Sequence, residues 1–173
     1  MPGSALLVID MLNDFIAKNG ALYCGETSEE IIPYINKLIA ERRENVSLVI
    51  SVQDNHTVDD PEFRLFPSHC IQGQEGSRIY PGVNINAKDL VILKPTFSAF
   101  YKTTLNYTLE NHGINEVHLC GVCTSICIME TCSDLFVRNM QICVHKKGVA
   151  DFDQMAHEFA LQRMEKIFGA KII

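Results

Sequence analysis

The sequence contains no apolar stretch long enough to cross a bilayer. Runs such as Ala5–Ile9 fall far short of the roughly 20 residues a spanning helix needs, so no membrane association is expected. No basic segment precedes the first apolar run. "MPGSALLVID" passes straight into an acid, and no secretory leader is expected there. There is no excess of positive charge: 21 acidic residues face 15 basic ones, a formal net charge of -6. Nucleic acid therefore has no electrostatic footing. Internal repeats, low-complexity tracts and interdomain linkers are all missing, so residues 1–173 are expected to form a single domain around one core. The even, closely spaced cysteines of a disulfide framework are missing too. Seven cysteines in this pattern point to free thiols in a reducing, cytoplasmic setting.

What is present is an alternation of short apolar runs with helical periodicity. "ALLVI" at 5–9, "VSLVISV" at 46–52, "LVIL" at 90–93, Val117–Cys120 and Gln141–His145 read as buried strands, and "AKII" as a short sixth. Helical spacing recurs over about residues 28–43, from about 104 to 111, through "TSICIMETCSDLFVRN", and through "DFDQMAHEFALQRMEKIFG". Asp151 or Asp153 would cap the last helix and Gly169 would end it. Residues 10–15 read as a loop, and so does the long polar segment from Gln53 to Lys88. A loop of that length in a compact domain is usually functional. Strands alternating with helices predict an α/β fold: three-layer α/β/α with a mostly parallel, doubly wound central sheet.

In such sheets ligands bind beyond the carboxyl ends of the strands. Asp10 follows the first strand, Asp54 the second, Lys94 the third and Cys127 the fourth. Each alone has a bland explanation: a strand-end cap, a solvated lysine, a core thiol. Together, at matching strand ends, they favour chemistry. Cys127 falls in the first turn of a predicted helix, where unpaired N–H groups and the helix dipole favour a thiolate and can hold an oxyanion. Lys94 nearby would favour the thiolate further, and Asp10 could take and return the proton. Asp54, His56, Glu62 and His69 supply imidazoles and carboxylates of the kind that hold a divalent first-row metal. A rival pattern, Cys120, Cys123, Cys127 and Cys132, superficially suits an iron–sulfur or zinc site. Cys127 and Cys132 would lie about 140° apart around one helix, which disfavours it. A non-catalytic binding domain is a further alternative. His112, His118, His145 and His157 pair with nothing evident, and Cys24, Cys70 and Cys143 read as packing thiols.

The motifs "LLVIDMLNDF", "QDNH", "FPSHCIQG", "KPTFSAF" and "GVCTSICI" resemble the isochorismatase-like cysteine hydrolases, and most of all their nicotinamidase (pyrazinamidase) branch. The resemblance runs along nearly the whole chain. It implies a catalytic triad of Cys127, Asp10 and Lys94 that hydrolyses the carboxamide of nicotinamide or pyrazinamide through a thioester. It implies one divalent metal ion (zinc, iron or manganese) on Asp54, His56 and His69, with Glu62 as the fourth and variable ligand, orienting the pyridine nitrogen. It further implies Phe15 and Phe66 as an aromatic sandwich for the ring. A cis peptide at Val122-Cys123 would bring the N–H of Cys123 beside that of Cys127 as an oxyanion hole. The implied partners are small-molecule amides and further copies of the chain, and the implied role is NAD salvage. A metal-independent amidase or isochorismatase is the nearest enzymatic alternative. Cys123 stands where the family usually has alanine, Ser125 where it has Asp or Asn, and Asn55 where it often has a bulky residue.

Overall fold

A strand that is apolar on both sides needs cover on both sides. In β1 (Gly3–Ile9), Ala5, Leu7 and Ile9 enter one core while Leu6 and Val8 enter another. In the computed structural model, which describes residues 3–45 and 47–173, five further strands follow. They are β2 (Leu48–Asp54), β3 (Leu90–Lys94), β4 (Ile114–Val122), β5 (Gln141–Ala150) and β6 (Lys171–Ile172). The sheet runs β3-β2-β1-β4-β5-β6, and every pairing is parallel. Val46, where the second strand was expected to begin, lies outside the described residues, as do Met1 and Pro2.

Among the described residues, six α-helices flank the sheet: α1 (Asn13–Ile16), α2 (Glu26–Glu30), α3 (Ile32–Glu44), α4 (Leu105–Asn111), α5 (Met129–Val137) and α6 (Gln154–Phe168). Through Ile35, Leu38 and Ile39, α3 packs on the face of Leu6 and Val8. Leu105 and Leu109 of α4, Leu135 of α5, and Leu161 and Met164 of α6 pack on the opposite face. The three-layer α/β/α expectation is met. Among the described residues, no helix is long and apolar enough to cross a membrane.

Several local expectations need correction. The helix anticipated over 28–43 divides into α2 and α3 around Ile31, just ahead of Pro33. Proline has no N–H to continue the ladder, and its ring crowds the preceding turn. The loop expected after β1 contains the single turn α1. The helix expected to carry Cys127 in its first turn instead opens with a π-turn over Thr124–Ile128. There the Ile128 N–H reaches the Cys123 carbonyl at 3.2 Å, and α5 begins only at Met129. Asp153, not Asp151, caps α6 by accepting the Met155 and Ala156 N–H groups, and Gly169 ends it.

The chain leaves β1 toward β2 on one side and leaves β4 toward β5 on the other. The carboxyl ends of β1 and β4 therefore frame the crevice where such sheets bind ligands. Gly121 makes this junction tight. It sits at φ +116, and a Cβ there would lie 1.9 Å from the Ile9 carbonyl oxygen. Only glycine permits both that conformation and that approach.

Candidate active site

The edge of the sheet brings the four strand-end side chains into contact. Asp10 sits at φ 54 directly after β1, and its N–H is tied to the Val52 carbonyl at 2.9 Å. Its Oδ1 accepts the Asp54 N–H at 2.9 Å. Lys94, the last residue of β3, is fully buried. Its Nζ lies 2.8 Å from Asp10 Oδ2, donates to Asp54 Oδ1 in a short ion pair, and approaches Cys127 Sγ at 3.5 Å. Asp10 Oδ2 is thus held in close ionic contact with the Lys94 ammonium. Carboxylate oxygens of Asp10 and Asp54 and the Cys127 sulfur all lie within 4.8 Å of one another.

The electrostatics follow from one buried cation serving two buried carboxylates. Burial and the neighbouring Asp54 charge together outweigh Lys94 and raise Asp10 to about 7. Asp54 behaves oppositely: burial works against its charge, but Lys94 and His56 prevail and hold it below its ordinary value. Burial likewise works against the Lys94 charge, yet Asp10 and Asp54 keep it protonated.

The buried setting works against the thiolate that local sequence favours at Cys127. Burial raises its thiol well above the ordinary value, Lys94 only partly offsets this, and Asp10 and Asp54 add to the rise. Burial and the two carboxylates thus oppose the charged form of the sulfur, and Lys94 favours it.

The turn carrying Cys127 is held from behind. The Val122-Cys123 peptide is cis, as the resemblance implied. Asp151 accepts the Ser125 N–H at 2.7 Å, Thr124 donates to the Ala150 carbonyl at 3.0 Å, and His157 contacts Thr124 Oγ1 at 2.9 Å. Asp151 is thus an anchor of this turn, and His157 is not the idle helix residue it resembled in sequence.

Next to this group stand the anticipated metal ligands. Atoms of Asp54, His56 and His69 lie within 4.8 Å of one another, all buried. Asp54 Oδ2, the oxygen turned away from Lys94, is 3.6 Å from His56 Nε2 and 3.9 Å from His69 Nε2. His69 Nδ1 donates to the Pro67 carbonyl at 2.8 Å, which leaves Nε2 as its lone-pair atom. Glu62 Oε1 stands 3.7 Å from that Nε2, and Thr96 donates to Glu62 Oε2 at 3.2 Å. Both ring nitrogens of buried His56 face carboxylates without an aligned hydrogen bond: Nδ1 is 3.2 Å from Asp60 Oδ2 and Nε2 3.6 Å from Asp54 Oδ2. Burial opposes protonation of His56, but Asp54 and Asp60 override it and raise it to about 9. The Nε2 atoms of His56 and His69, facing the carboxylates of Asp54 and Glu62, form a donor set that fits a divalent cation.

A cavity of about 380 Å3 opens onto both groups. Phe15 and Phe66 line it as expected, along with Tyr23, Phe97 and Ile126, which sequence reasoning did not single out. Phe15 and Phe66 each meet His69 edge-on, with centroids 5.6 and 6.4 Å away. Cys24, read as a packing thiol, also lines the cavity, its sulfur 3.1 Å from that of Cys123. Asp14 was missed as well. It accepts the Cys70 N–H at 2.7 Å and the Ala21 N–H at 3.2 Å, tying the His69 loop to the segment after β1. The rival four-cysteine site is split by the sheet: Cys120 and Cys123 pack in one core, Cys127 and Cys132 in the other.

The chain is 37% identical over 178 residues to the "Uncharacterized isochorismatase family protein PncA" of Bacillus subtilis (strain 168), covering 97% of each. Its fold superposes on the crystal structure of nicotinamidase/pyrazinamidase PncA from Bacillus subtilis with a TM-score of 0.93, at 37% identity and 98% coverage of both chains. The pyrazinamidase of Pyrococcus horikoshii in complex with zinc gives a TM-score of 0.93 at 29% identity, with 99% of each chain covered. The family description "Isochorismatase domain" matches residues 4–172. With that match and these likenesses beside the site just described, the chain belongs to the isochorismatase family of hydrolases.

Proposed function

We propose that this protein hydrolyses the carboxamide of nicotinamide, and of pyrazinamide, to the carboxylate and ammonia. The observation that carries this reading is the placement of Lys94. One ammonium touches a proton acceptor (Asp10), a thiol (Cys127) and a member of the metal donor set (Asp54) at once. Nucleophile, base and binding donors are thereby locked in one frame at the wall of an aromatic cavity.

In this reading Phe15 and Phe66 hold the ring flat. Asp54, His56, His69 and Glu62 would hold a divalent cation, which would supply Lewis acidity toward the pyridine nitrogen. Cys127 gives its proton to Asp10 as its sulfur bonds to the amide carbon. The N–H groups of Cys123 and Cys127 receive the oxyanion. Asp10 passes the proton to the nitrogen, the C–N bond breaks and ammonia leaves. Asp10, again a carboxylate, takes a proton from the incoming water, whose oxygen bonds to the thioester carbon. The C–S bond breaks, the acid departs and the thiol recovers its proton.

Purified protein supplied with Zn2+ is expected to release ammonia from nicotinamide and from pyrazinamide, and to lose this turnover after treatment with a chelator. Wild-type protein that holds metal yet releases no ammonia from either amide would exclude the substrate assignment. A second expectation concerns pH. Asp10 must be charged to accept the thiol proton, so kcat/KM should fall as pH drops through about 7. A flat profile from pH 8 down to about 5 would remove Asp10 from the role of base.

A further inference from the structure

Asp60 lies outside every group of residues that the sequence brought forward. It begins the short 3-10 turn Pro61–Arg64, where its Oδ1 accepts the Glu62 N–H at 2.9 Å. Its second oxygen, Oδ2, stands 3.2 Å from His56 Nδ1. One carboxylate thus touches two of the four residues assigned above to the metal. We propose that Asp60 is a positioning residue for the cation: it fixes the ring of His56 through one oxygen and the turn bearing Glu62 through the other. This rests on the metal site put forward under Proposed function.

The case is geometric. The main chain of His56 is already fixed, its N–H bonded to the Cys70 carbonyl at 3.1 Å and its carbonyl accepting the Gln72 N–H at 2.9 Å. Only the ring orientation and tautomer remain to be set. Nε2 faces Asp54 Oδ2 at 3.6 Å, so the cation side of the ring is Nε2 and the Asp60 side is Nδ1. A metal-bound imidazole offers an N–H on its other nitrogen, and a carboxylate at that position holds the tautomer and raises the basicity of the ligand. Asp60, His56 and Glu62 bring ligand atoms within 4.8 Å of one another, as Asp54, His56 and His69 do; with the cation on the Nε2 side of His56, Asp60 stands behind the imidazole. Phe63, on the turn that Asp60 caps, packs against the same ring with centroids 5.4 Å apart.

The test is Zn2+ binding by the full chain, read by competition with a chromophoric chelator, without any assay of activity. Asp60→Asn keeps an oxygen for the Glu62 N–H but loses the charge behind His56. It is expected to weaken Zn2+ binding roughly 10–100-fold while the metal-free variant stays folded, as read by circular dichroism. Asp60→Glu, which restores the charge, should bind more tightly than Asp60→Asn. Affinity of Asp60→Asn within about twofold of wild type would overturn the proposal. So would a loss as large as that of Asp54→Ala, which would make Asp60 a ligand. Asp60→Glu binding no better than Asp60→Asn would overturn it too. Wild-type protein with no saturable one-to-one Zn2+ site would instead overturn the metal reading on which the proposal rests.

Discussion

Replacing Lys94 with methionine is expected to destabilise the protein by about 3–5 kcal/mol at pH 8 and to abolish turnover. The side chain is fully buried, and methionine matches most of its volume, so packing alone predicts a small change. The charge decides otherwise. Without the ammonium, Asp10 and Asp54 remain buried beside each other with no cation between them. The destabilisation should shrink as pH falls, because each carboxyl can then take a proton. The sign follows from linkage: losing Lys94 raises both carboxyl groups in the folded state, and a carboxyl raised above its unfolded value destabilises the fold at the higher pH. Urea unfolding of Lys94→Met and wild type at pH 8 and pH 5 measures this. A difference below about 1 kcal/mol at pH 8 would mean the pair behaves like a surface ion pair and that water reaches the carboxylates.

Cys127→Ala should lower kcat for nicotinamide by at least about 10^4-fold, as loss of a covalent nucleophile does elsewhere. Binding should survive, because Phe15, Phe66 and the metal donors are untouched. Stability should change little: a buried thiol becomes a methyl group among the same apolar neighbours. Equilibrium binding of nicotinamide separates this from a general loss of structure. In wild type, rapid acid quench should trap a mass increase of one nicotinoyl group on the peptide containing Cys127, and the variant should show none. Residual turnover above about 1% of wild type would give the nucleophile role to another group.

The positions of Asp10, Asp54 and Cys127 were legible because each closes, or follows shortly after, a run buried on both faces of its strand; Lys94 closes an apolar run too, but on the edge strand β3, where Val91 and Leu93 are exposed. Such runs are hard to mistake, and the polar residue that ends each one lands on the same edge of a parallel sheet. Asp60 and Asp14 gave no such signal. They lie in segments without periodicity, and their roles are contacts made across the fold, such as Asp14 with the Cys70 N–H. Cys24 and Phe97 reach the cavity from loops whose paths no spacing rule describes. Phe15 and Phe66 were singled out by likeness of motif, and Asp54, His56, Glu62 and His69 by side-chain chemistry and that likeness together; Phe15, Phe66, Asp54, Glu62 and His69 line one cavity.

The amino-acid sequence by itself determined the layering, the parallel sheet and the sheet edge at which chemistry would be found, because burial on two faces is recorded residue by residue in local apolar pattern. The charge state of the site was decided only by the tertiary structure. Local context at Cys127 favours a thiolate, yet packing removes the sulfur from water and sets two carboxylates and one ammonium around it. Desolvation and charge act over distances in space, not along the chain. The upward pull on the Cys127 thiol, the rise of Asp10 to about 7 and the placement of Asp60 beside His56 all follow from that folded arrangement.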